Sequence, residues 1–85
     1  MIIRWDPLKN AWLKRTRGVS FEEIVRAAFV TTIEHPKRQH QKYLLFEIDR
    51  YIWAVPYVSD GDEIFLKTAF PSRVYTRKWI RGELR

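Results

Sequence analysis

Cysteine is absent from this chain. That excludes disulfides, thiolate metal sites and thiol nucleophiles. Glycine is scarce, with three residues, and none sits in a phosphate-cradling loop or a nucleophile elbow. No apolar run approaches the roughly 20 residues of a membrane span. Met1 leads directly into Ile2-Ile3-Arg4-Trp5 without a signal-peptide pattern, so the sequence predicts a cytoplasmic protein with no membrane partner. Acidic residues are also few, ten against sixteen Lys and Arg, giving a formal charge of +6. A pI near 10.0 favours a polyanion or an acidic protein as partner and says nothing about fold.

What is present suffices for one domain over residues 1–85. Its margin of stability should be small, because a short chain buries a modest fraction of its surface. Ile2–Trp5 reads as a first strand. Asp6 is a good helix N-cap, Pro7 at the first helical position loses no needed donor, and Gly18 closes the helix behind basic residues. Ser20-Phe21-Glu22-Glu23 is a capping box. The stripe Phe21, Ile24, Val25, Ala28 and Phe29 then predicts a second helix ending near Val30.

From Thr31 the period changes to two. Thr31–Glu34 reads as a strand stopped at His35-Pro36. Tyr43–Ile48 and Tyr51–Val58 form a hairpin across Asp49-Arg50, although the favoured glycine is missing. Pro56 removes a ladder donor and predicts a bulge or an unpaired stretch. After the turn Ser59–Asp62, the strand Glu63–Phe70 should place Ile64, Leu66, Thr68 and Phe70 on one face and Phe65, Lys67 and Ala69 on the other. Residues 74–81 fit either a terminal helix or an extended arm. The expected fold is α+β: strand, two helices, then a three- to four-stranded antiparallel sheet with one face covered by the helices.

Three groups could carry chemistry. His35 and His40 flank a basic loop with Lys37, Arg38 and Lys42. A neutral histidine can accept a proton near neutral pH, and cations can stabilise a pentavalent phosphate. His35, His40 and Glu34 lack the spacing of a metal site, and no cofactor is expected. Lys67 and Arg73 form the second group. With Tyr43, Trp53 and Tyr75 nearby, they would combine base stacking with phosphate neutralisation on a helix-free face. The third is the terminal run Arg73, Arg77, Lys78, Arg81 and Arg85. Glu22 and Glu23 are explained by capping.

Trp5-Asp6-Pro7-Leu8-Lys9-Asn10, Leu13-Lys14 and Gly18-Val19-Ser20-Phe21-Glu22-Glu23 together resemble the amino-terminal signature of BrnT-type toxins. These are RelE-like ribonucleases of type II toxin–antitoxin modules. The resemblance implies a translation-inhibiting endoribonuclease neutralised by a ribbon-helix-helix antitoxin, with operator DNA touched only through the complex. The family's late strand commonly ends in Ile-Ser-Ala-Arg. Here the matching segment is Ala69-Phe70-Pro71-Ser72-Arg73, so Arg73 is the carried-over catalytic candidate. Lys67, His35 and His40 join it on chemical grounds, with Lys37, Arg38, Lys42, Tyr43, Trp53, Tyr75 and Arg77 as RNA contacts. The substrate would be RNA, free or on the ribosome. The alternative is a non-catalytic RNA-binding or ribosome-associated module; a third possibility is a structural subunit whose open sheet face accepts another chain.

Overall fold

A computed structural model describes residues 1–84; Arg85 of the terminal basic run lies outside them. The chain runs β1 (Ile2–Trp5), α1 (Pro7–Arg17), α2 (Phe21–Val25), β2 (Ala28–Glu34), β3 (Lys42–Ile48), β4 (Tyr51–Asp60), β5 (Glu63–Leu66), β6 (Phe70–Pro71) and α3 (Arg73–Ile80). The fold is α+β, as expected. The sheet, however, has six strands and is mixed. Its order is β1-β5-β4-β3-β2, with β1 parallel to β5 and β6 paired to β4. No helix among the described residues is long and apolar enough to cross a membrane.

The first two helices begin as their caps dictate. The Asp6 carboxylate accepts from the Leu8 amide, and Gly18 adopts φ 79° where an L side chain would be strained. Ser20 and Glu23 form the reciprocal capping box. The Glu23 carboxyl is held down to about 2 by the Lys14 ammonium and then by the Ser20 amide. Asn10 ties the helices together, accepting from the Phe21 amide and donating to Glu22.

Helix α2 stops at Val25, not near Val30. Ala28, Phe29 and Val30 belong to β2, which pairs with β3 from Ala28↔Glu47 to Glu34↔Lys42. Phe21, Ile24 and Val25 keep the predicted helical stripe. The β-branched run from Val30 to Ile33 gains more from the ladder to β3 than helix propensity offers.

Two cores lie on opposite faces of the sheet. Under α1 and α2, Leu13, Phe21 and Ile24 meet Phe46, Trp53, Val55, Ile64, Leu66 and Ala69. On the other face Tyr43, Leu45, Ile52 and Ala54 pack with Phe70, Tyr75 and Trp79. The second face is therefore not helix-free: α3 covers its β3–β4 half. Residues 74–80 resolve as helix. Ser72 caps α3 by accepting from the Tyr75 amide. Its far end closes with Gly82 N–H on the Trp79 carbonyl and Glu83 N–H on the Lys78 carbonyl, with Gly82 at φ 72°.

The predicted alternation through Glu63–Phe70 also breaks. Leu66 pairs with Tyr57 and Phe70 with Ala54, so residues 67–69 oppose only residues 55–56. That one-residue excess is a bulge, and a slip of one residue sends every later side chain to the opposite face. Ile64, Leu66 and Ala69 consequently share the α1–α2 core, whereas Phe70 joins the α3 core. The bulge lies opposite Pro56, whose carbonyl accepts from the Lys67 amide and whose ring nitrogen has no hydrogen to return. The donor missing from β4 thus appears as an irregularity in its partner strand. The Arg17 guanidinium, stacked over Trp12, donates to the Ala69 carbonyl.

The Asp49-Arg50 hairpin forms without glycine. Both residues have positive φ, 52° and 66°, the signature of a type I′ turn. Glu47 stabilises it by accepting from the Arg50 amide at 2.7 Å. A side chain such as Arg50 is strained in this region, so Arg50→Gly should raise stability by about 1 kcal/mol, seen as a higher urea midpoint with an unchanged slope. A lower midpoint would mean the turn is not strained at this position.

Candidate nucleic-acid interface

Tyr43 is the residue on which the predicted groups converge. It stands on β3 between Ile33 and Pro56, on the α3 face. Its ring centre lies 5.0 Å from His35, 5.9 Å from Phe70 and 6.0 Å from Tyr75. The Lys78 ammonium reaches to 6.0 Å from the Tyr75 ring. One aromatic chain therefore joins the basic loop to α3. Burial, and then the neighbouring Tyr43, push the Tyr75 hydroxyl pKa upward. Tyr43 itself is buried, so it supports this surface and offers no open ring for a base to stack on.

The loop is an ordered turn. His35 Nδ1 accepts from the backbone amides of Lys37 and Arg38, each at 3.0 Å, and backbone bonds His35–Gln41 and Gln41–Arg38 close it. An Nδ1 that accepts two hydrogen bonds carries no hydrogen, which assigns the neutral ring with hydrogen on Nε2. In this geometry His35 shapes the loop and has no vacant lone pair for a substrate proton. Lys37, Arg38 and His40 are exposed on it.

Arg73 and Arg77 on α3 and Arg81 at its C-cap recur every four residues, share one stripe and are all exposed. Arg73 is the first helical residue, and the first turn carries no acidic side chain. Its charge adds to the positive end of the helix. Lys67 is exposed, with its ammonium 5.7 Å from the Phe65 ring centre. Phe65 alternates with Ile64 and Leu66 of the α1–α2 core, so its ring and the ammonium beside it lie on the α3 side of the sheet. Arg73 and Lys67 are thus on the same side of the molecule.

Two predicted contacts do not belong to this surface. Trp53 is 8% exposed in the core beneath α1 and α2, because its register partner Phe46 directs it there. Lys42 shares strand parity with Leu44 and Phe46, so it lies on the α1–α2 side, opposite Tyr43. Sequence reasoning passed over Arg4 as a site residue. It sits beside Phe65 only because β1 adds to the sheet in parallel next to β5, and no local signal announces a pairing across some sixty residues.

No pocket opens among the described residues, so the candidate site is a surface. Among those residues, no group of three or more His, Cys, Asp or Glu side chains is placed to hold a metal ion. No family model matches the chain, and no curated protein or solved structure matches it.

Proposed function

We propose that this chain acts on RNA as the toxin of a type II toxin–antitoxin module, an endoribonuclease of RelE-like fold that inhibits translation. The observation that carries the reading is the aromatic chain His35–Tyr43–Tyr75, which links the Lys37–Arg38 loop to the arginine-bearing helix α3. Cations placed along one side would neutralise a phosphate backbone. Arg73 and Lys67 would stabilise charge as the 2′-hydroxyl attacks in line, a contribution that often dominates such chemistry. His40 is the proton acceptor in this scheme, because Nδ1 of His35 is committed to the turn. A ribbon-helix-helix antitoxin would cover the basic face, and the complex would contact operator DNA. The start of the chain supports the same reading, since Trp5–Glu23 folds as the end of β1 followed by α1 and the beginning of α2.

That commitment of His35 also favours a second reading, a non-catalytic RNA-binding or ribosome-associated module. It needs the same cations and no proton acceptor. Incubating the protein with RNA, and separately with translating ribosomes, tests the two. The toxin reading expects cleavage in at least one setting, reduced at least about tenfold by Arg73→Ala. Binding with a steep salt dependence and no product would establish the module instead. Neither binding nor cleavage would remove both.

A further inference from the structure

Helix α3 covers the β3–β4 half of its face and leaves the β1–β5 half bare. On that half Phe65 is 38% exposed and belongs to neither core cluster. Its neighbours are charged. Arg4 is its register partner on β1, and Glu63 and Lys67 flank it on its own chain with the same parity. The Lys67 ammonium lies 5.7 Å from the ring centre, and Arg4 Nη1 lies 3.7 Å from Glu63 Oε1. An aromatic ring on an open sheet face, bracketed by an arginine and a lysine, has the components of a single-strand stacking platform.

We propose that Phe65 is a stacking site for an unpaired base of single-stranded RNA, with Lys67 and Arg4 contacting the flanking phosphates. The inference rests on the RNA-directed function above and adds a defined subsite to it. Charge complementarity selects this occupant. Arg4 offers a cation across the ladder and Lys67 one along the strand, Glu63 holds the remaining flank, and the whole chain carries +6. The exposed Arg4–Glu63 pair is weakly held in water, so Arg4 can turn to a phosphate at small energetic cost. Stacking on Phe65 is tolerant of base identity, since every base has a π-face. The site therefore grips single strands without reading their sequence.

Binding of a fluorescent, unstructured oligoribonucleotide to the intact protein tests this, together with an abasic oligomer of equal length. Phe65→Ala should weaken binding of the base-containing strand about five- to a hundredfold, and Phe65→Trp should restore it. The abasic strand should bind wild type and Phe65→Ala alike. Lys67→Gln should flatten the dependence of log K on log salt by about 0.7. Phe65 is a surface residue, and an unchanged melting curve for Phe65→Ala would exclude a folding effect.

Wild-type affinity in Phe65→Ala, while the parent binds RNA, would overturn the platform and leave the RNA-directed reading standing. So would loss of self-association in that variant with RNA affinity intact, because the face would then serve a second copy of the chain. No RNA binding by the wild type would overturn both readings.

Discussion

Trp53→Ala should destabilise the domain by about 3–5 kcal/mol and leave much of it unfolded in mild denaturant. The indole sits in the core with Leu13, Phe21, Ile24 and Phe46 and is almost wholly buried. Truncation would open a cavity between the sheet and both amino-terminal helices, which short side chains on a rigid sheet cannot refill. Total stability for small domains is about 5–15 kcal/mol, and a chain of this length falls toward the lower end. Urea unfolding should show a sharply lower midpoint, with Trp53→Phe intermediate. An undiminished midpoint accompanied by weaker RNA binding would instead return Trp53 to the stacking role expected of it beside Lys67 and Arg73.

Thr76→Val should cost about 1–3 kcal/mol, far more than a volume-conserving change normally would. On β4, the amide and carbonyl of Ile52 both point away from β3. The carbonyl accepts from the Ser72 amide at 2.8 Å. A further β6 residue would be needed to accept from the Ile52 amide, but the chain has already turned into α3. Thr76 supplies the acceptor instead: its hydroxyl oxygen receives the Ile52 N–H at 2.7 Å in a buried setting. Valine preserves the shape and removes the oxygen, leaving a backbone donor without a partner. Thr76→Ser should keep much of the stability. Amide exchange at Ile52 would read the effect directly, and protection equal to wild type in the valine variant would show that another group satisfies the donor.

That hydroxyl illustrates why α3 was ambiguous beforehand. Its caps were present in the sequence, Ser72 before the first turn and Gly82 after the last, and either could have favoured helix over arm. Tyr75 and Trp79, however, lie four residues apart and share a face in an extended segment as well as in a helix. The choice came from what Tyr75, Thr76 and Trp79 found beneath them. Once α3 lies on β3 and β4, Tyr43 is roofed, and the aromatic chain from His35 to Tyr75 can form.

Local chemistry explains where sequence reading succeeded. Asp6, Pro7, Gly18, Ser20 and Glu23 act over a few residues through their own backbone geometry, so they identified α1 and the start of α2 directly. The Asp49-Arg50 hairpin likewise needed only two facing apolar runs. Exposure of Lys37, Arg38, Arg73 and Arg77 was also readable, because a cation without a buried partner stays in water. Pro56 announced an irregularity for a local reason, the missing N–H, but could not say which strand would carry it.

Choices between distant partners belonged to the tertiary structure. Val30 left the helix because β3 was available to pair with β2; Trp53 and Lys42 went beneath α1 and α2 because register assigned their parity. The bulge at residues 67–69 reversed the facing of Phe70, and the parallel docking of β1 set Arg4 beside Phe65. Short-range propensity can name an element. Which side of a sheet a side chain occupies depends on pairing between segments far apart in the chain, and a shift of one residue is enough to invert it.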